Sequence, residues 1–177
     1  KGAAYRRVWL LDEDISIAPM DFVHFAAMVD CAFFPREPPL VVQATVAPST
    51  QVYPFLNQKE WEGTGVAAVH SHFVEVQMPM FDAAFFHWMT THVIAPLTPS
   101  MQELHSLWGI DEVFCRSATF FSAQMHMSSL ATATGRQDRK TSDSASAKAS
   151  DVSPPACAVV TAPRTAVGHY NLRTIDK

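Results

Sequence analysis

Residues Val8-Trp9-Leu10-Leu11 run straight into Asp12-Glu13-Asp14, and no other stretch constrains the fold as strongly. Four consecutive apolar residues without polar alternation read as a strand buried on both faces, as inside a largely parallel sheet. In open α/β sheets ligands collect just beyond the carboxyl ends of the strands, which is where these three acids stand. If the backbone stays extended, Asp12 and Asp14 point to one side and Glu13 to the other. Carboxylates gathered at such an edge repel, and one keeps its proton unless a cation sits between them. Oxygen ligands of this type suit Mg²⁺ or Mn²⁺, which bridge carboxylates to a substrate's phosphates. The plainer reading is that the acids end a strand and cap the next helix.

Downstream, strand-like and helical patterns alternate. Asp21 reads as the N-cap of a helix over residues 21–34, with Phe22, Phe25, Ala26, Val29 and Phe33 on one stripe and Pro35 closing it. Residues 40–46 form a second apolar run with Gln43 as its one polar interruption. Residues 47–65 carry prolines and glycines and read as a long loop of the kind that serves as a lid. Within it Tyr53, Phe55 and Trp61 either stack on a sugar or pack the loop down, and packing is the simpler role. Residues 73–78 make a third strand candidate, ended by Pro79, with Glu75 and Gln77 on one face. An acid in an apolar strand needs a partner or a ligand, because unpaired burial is costly. Asp82, flanked by Phe81 and Phe85, is placed to cap a helix over residues 83–94 that Pro96 and Pro99 would stop. Asp111 is placed to cap the next helix, which carries Val113, Phe114, Ser117, Ala118 and Phe121. A last buried strand is expected at residues 156–160. The expected class is α/β, a mixed and largely parallel sheet flanked by helices.

Composition narrows the function. A chain of 177 residues with 48% hydrophobic content supports one domain with a sizeable core. Its net charge of −4 leaves no basic footprint, which argues against a nucleic-acid partner. Cys31, Cys115 and Cys157 include no close pair, so neither a zinc ribbon nor a disulfide framework is indicated. His70-Ser71-His72 offers two imidazoles without the further ligands a zinc site needs. Residues 128–155 are Ser, Thr, Ala, Asp, Lys and Arg with almost nothing large and apolar, and read as a disordered insertion. The insertion divides one domain into residues 1–127 and 156–177. No apolar run has the length of a membrane span, and no signal peptide is visible. The chain opens on Lys1 and enters a strand at once, so it reads as a fragment, with any targeting segment or membrane anchor expected upstream.

Several segments taken in order carry a resemblance. They are Leu10-Leu11-Asp12-Glu13-Asp14, then Val74-Glu75-Val76-Gln77-Met78-Pro79-Met80-Phe81, then Trp108-Gly109-Ile110-Asp111. Cys157-Ala158-Val159-Val160 and Val167-Gly168-His169-Tyr170-Asn171 close the set. Together they resemble a eukaryotic family of unknown function whose fold is similar to GT-A type nucleotide-diphospho-sugar glycosyltransferases. The resemblance spans most of the chain apart from the insertion. It implies metal-dependent transfer of a sugar from a nucleotide-diphospho-sugar donor to an unknown acceptor, in an ER or Golgi lumen. Asp12 and Asp14 match the Asp-x-Asp position, and Asp12, Glu13 and Asp14 are the implied cofactor-binding residues. His169 falls where many such enzymes place a late metal-binding histidine, so Asp12, Asp14 and His169 are the implied ligands of Mn²⁺ or Mg²⁺. Asp111 matches the acid after the Trp-Gly pair, implied as general base for the acceptor hydroxyl, and Glu75 an acceptor-binding or supporting acid. Only eleven residues precede Asp12, where related folds place a nucleotide-binding half. The chain therefore reads as the catalytic, C-terminal half of such a fold, incomplete and inactive as it stands. A non-catalytic carbohydrate-binding or interaction module is the competing reading, and a zinc protein built on His70 and His72 ranks last.

Overall fold

The computed structural model describes residues 5–48, 52–105, 109–134 and 156–169. Five strands form the main sheet: β1 (Arg7–Trp9), β3 (Val41–Ala44), β4 (Ala68–Ser71), β5 (Met80–Asp82) and β6 (Cys157–Val160), in the order β1-β5-β3-β6-β4. Two short strands, β2 (Ile15–Ser16) and β7 (Gly168–His169), pair separately as a ribbon. The class is α/β with a mixed sheet, as expected, but the sheet is not largely parallel. Only β3 and β6 pair in parallel, while β1–β5, β3–β5 and β4–β6 are antiparallel. The pairings still send β1, β3 and β6 in one direction, so three carboxyl ends share a rim.

Core packing follows the apolar runs. All of β3 and β6 is buried, and their side chains alternate between two clusters on opposite faces. One face holds Val42, Ala44 and Val160 under helix α1 (Phe22–Cys31), through Phe25 and Val29. The other holds Val41 and Cys157 under helices α2 (Ala83–Met89) and α4 (Ile110–Thr134), through Phe85, Phe114 and Ala118. Two of the three predicted caps form: Asp21 accepts the His24 N–H, and Asp82 accepts those of Ala84 and Phe85. Phe81 packs on Phe85 and more closely on Phe86, at 6.3 and 5.4 Å between ring centres.

Five expectations are corrected. The strand at residues 8–11 is not buried on both faces: β1 lies at the sheet edge, and Leu10 and Leu11 are 41% and 40% exposed. Residues 73–78 are not a strand but an irregular crossing that turns at Val76 and Gln77, between β4 and β5, neither of which the apolar pattern announced. Pro96 and Pro99 do not stop the helix. A π-helical segment, Thr90–Ile94, widens the chain after α2, and α3 (Ala95–Leu104) then carries Pro96 in its first turn, where no N–H is needed. Helix α4 continues through Thr134, so the start set for the insertion at residue 128 is too early. Residues 135–155 of that insertion lie outside the described residues. Finally, Cys115 and Cys157 form a disulfide across a sequence separation of 42, because α4 packs its Cys115 onto the start of β6. Cys31 is free and exposed.

Candidate functional site at the carboxyl rim

The edge strand delivers the acids to the rim. Beyond Trp9 the chain stays tied to the crossing segment, with Leu10 N–H donating to Pro79 O at 3.0 Å and Asp12 N–H to Gln77 O at 2.9 Å. The Trp9 indole N–H donates to Met78 O at 3.0 Å, while its ring stacks on Phe22 and Phe25. The acidic triplet does not stay extended. A turn through Glu13 and Asp14, closed by Ile15 N–H donating to Asp12 O at 3.1 Å, folds the chain into β2.

That turn sets up a long-range contact. β2 pairs with β7 with Ile15 opposite His169, and His169 Nε2 lies 3.1 Å from Asp14 Oδ2 across 155 residues. The His169 side chain is 4% exposed and that of Asp14 19%, so this is a shielded pair rather than a surface contact. His169 Nδ1 is buried without a partner among the described residues. Ring position here follows from the ribbon register and not from a frayed end.

Glu75 completes the rim from the crossing segment. Its backbone N–H donates to Gln43 Oε1 at 2.7 Å, and its own Oε2 is buried with no partner. Burial pushes the Glu75 carboxyl above its ordinary value; His169 opposes the rise, and Asp111 and Asp12 reinforce it. Burial also raises the Asp12 carboxyl, with Asp14 and Glu13 adding to the effect and His169 opposing it. Asp12, Asp14, Glu75, Asp111 and His169 therefore occupy one electrostatic neighbourhood, although they come from four separate segments. Asp111 is not the N-cap. It sits in the first turn of α4, where its Oδ1 accepts the Glu112 N–H at 3.1 Å, after Gly109 at a φ of 82°. Trp108 lies outside the described residues.

The donor chemistry of this rim, carboxylates beside an imidazole, suits Mn²⁺ better than Mg²⁺. As placed, no three His, Cys, Asp or Glu side chains among the described residues stand close enough together to hold a metal ion. Asp14 and His169 supply two donors in contact, and Asp12 is the neighbour available as a third. His70, by contrast, packs at a tilt against Phe33 at 4.7 Å between ring centres, and His72 is exposed. The loop aromatics also pack: Tyr53, Phe55 and Phe73 contact one another, and the Trp61 indole N–H donates to Phe55 O at 2.8 Å.

Sequence reasoning did not place Gln43 and Gln77 among the site residues. Gln43 is fully buried, and its Nε2 and the buried Gln77 Oε1 have no partner among the described residues. The available signal was the amide inside an otherwise apolar strand, which has to meet a partner somewhere. No family model, curated protein or solved structure matches the chain. Among the described residues no helix is long and apolar enough to cross a membrane.

Proposed function

We propose that the rim is the catalytic half of a metal-dependent sugar-transfer site that takes a nucleotide-diphospho-sugar donor. The observation that carries this reading is the seating of His169 against Asp14, with Asp12, Glu75 and Asp111 in the same electrostatic neighbourhood. Asp12, Asp14 and His169 would hold Mn²⁺, whose charge offsets that of the departing diphosphate. The ribbon pairing of β2 with β7 keeps Asp14 and His169 together. Glu75 is the better placed of the two candidate bases. Its carboxyl is raised by burial and its buried Oε2 has no partner among the described residues, whereas Asp111 spends Oδ1 on the N-terminal turn of its helix. A base works best with a pKa near the operating pH, which favours Glu75 as proton acceptor and leaves Asp111 to bind the acceptor. The Cys115–Cys157 disulfide supports an oxidising compartment such as the ER or Golgi lumen.

Calorimetric titration of the whole chain with Mn²⁺, with and without a nucleoside diphosphate, tests the reading. Weak Mn²⁺ binding should tighten in the presence of the diphosphate. An Asp12→Asn, Asp14→Asn double variant, which removes both proposed carboxylate ligands, should lose detectable Mn²⁺ binding. Equal binding by the double variant would remove the proposal. The lack of a preformed three-ligand group among the described residues favours a second reading, a carbohydrate-binding module without turnover. Sugar binding that ignores Mn²⁺ entirely would select it.

A further inference from the structure

Gln43 is the only polar residue of β3, and it is fully buried. Its Oε1 accepts the Glu75 N–H at 2.7 Å, which fixes which end of the amide is oxygen. The amide N–H₂ is therefore held beside residue 75 with no partner among the described residues. Two acceptors on the adjoining crossing, Glu75 Oε2 and Gln77 Oε1, are buried and unpartnered as well. One unmet donor on β3 and two unmet acceptors on the segment it holds at residue 75 thus remain among the described residues. Such groups are costly to bury unless something meets them.

We propose that Gln43, Glu75 and Gln77 form a subsite for a neutral, hydroxyl-bearing ligand, a sugar ring presenting adjacent hydroxyls. A hydroxyl both donates and accepts, so it meets an amide N–H₂ and a carboxyl oxygen in one contact. A bare cation is opposed by the amide hydrogens, and a phosphate by Glu75 with Asp12 and Asp111 around it. The proposal rests on the sugar-transfer reading only in choosing a sugar over another polyol. The clamp on the Glu75 backbone gives Gln43 a second role, since it also sets where that carboxyl stands.

The test uses the full chain with ¹⁵N-labelled glutamine side chains, in EDTA, titrated with methyl glycosides of glucose, galactose and mannose. One side-chain N–H₂ pair, absent from the spectrum of Gln43→Met, should shift saturably with at least one sugar. Gln43→Met should weaken that binding by at least about tenfold, the size of leaving buried polar groups unmet. Gln77→Ala keeps the backbone carbonyl that Asp12 uses and should weaken binding several-fold, so it serves if Gln43→Met does not fold. No saturable shift with any sugar, or unchanged affinity in both variants, overturns the subsite. Because EDTA removes metal ions, the two readings fail separately. Sugar binding without Mn²⁺-dependent diphosphate binding removes the transfer site and leaves the subsite, and the reverse removes the subsite alone.

Discussion

Two polar clusters sit at the carboxyl end of the same two central strands, and they differ in whether their hydrogen bonds are met. Around Thr45, the Gln58 side chain accepts from the Thr45 hydroxyl and donates from Nε2 to Thr161 O at 3.0 Å, while the Thr161 hydroxyl donates to Val66 O at 2.7 Å. Two residues earlier on β3 stands Gln43, and Gln43 Nε2, Glu75 Oε2, Gln77 Oε1 and His169 Nδ1 all lack partners among the described residues. A closed network rigidifies a fold and fastens a loop, here the segment with 3₁₀ turns at Pro54–Leu56 and Gln58–Trp61. An open one is costly to fold and is what a binding site requires. The difference separates polar residues that hold the structure from polar residues that await a ligand.

The largest effect that bears on this contrast comes from the disulfide. Reducing Cys115–Cys157, or replacing both with Ala, should lower stability by about 2–4 kcal/mol in denaturant unfolding. Below the melting transition, Mn²⁺ and sugar binding should hold. If binding disappeared while the chain remained folded, the position of α4 on the sheet, rather than the rim's own side chains, would be setting the site.

Next in size is Gln58→Leu, which strands the Thr45 hydroxyl and the Thr161 carbonyl. It should cost about 1–3 kcal/mol and leave ligand binding unchanged. Gln43→Met, at the open cluster, should cost about 1 kcal/mol less, because it removes an amide donor that was already unmet. Equal losses in the two variants would erase the distinction between the clusters.

The smallest effect has the opposite sign. Glu75→Gln removes a half-buried charge, so the unfolding midpoint at neutral pH should rise by about 1–2 °C. In any preparation that turns over, the same variant should slow transfer by about a hundredfold, and Asp111→Asn should slow it less. The pH dependence follows from the raised carboxyls of Glu75 and Asp12. The folded chain keeps these protons to higher pH than the unfolded chain, so it binds more protons between the ordinary carboxyl range and the raised values. Stability contributed by these groups therefore falls as pH rises through that window, and Glu75→Gln should flatten the fall. A midpoint that rose with pH there in wild type but not in the variant would mean that the Glu75 carboxylate is paired.

What the sequence determined by itself was local. Asp21 and Asp82 cap their helices because the partner N–H groups lie two or three residues away, and no distant part of the chain is needed. The apolar runs that became β3 and β6 are buried because a continuous hydrophobic segment has few other places to go. The acids after Leu11 did arrive at a carboxyl rim, although by way of an edge strand and a turn. Only the tertiary structure decided the rest. Which strand lies at the edge depends on pairings between residues far apart, and the apolar pattern of a strand does not name its neighbours. The same limit hid the disulfide, whose cysteines meet because a helix crosses a sheet face. It also hid the contrast between Gln43 and Thr45. Both are polar residues at the end of one apolar run, and only the packed chain shows that the partners of Thr45 are supplied while the amide of Gln43 still lacks one.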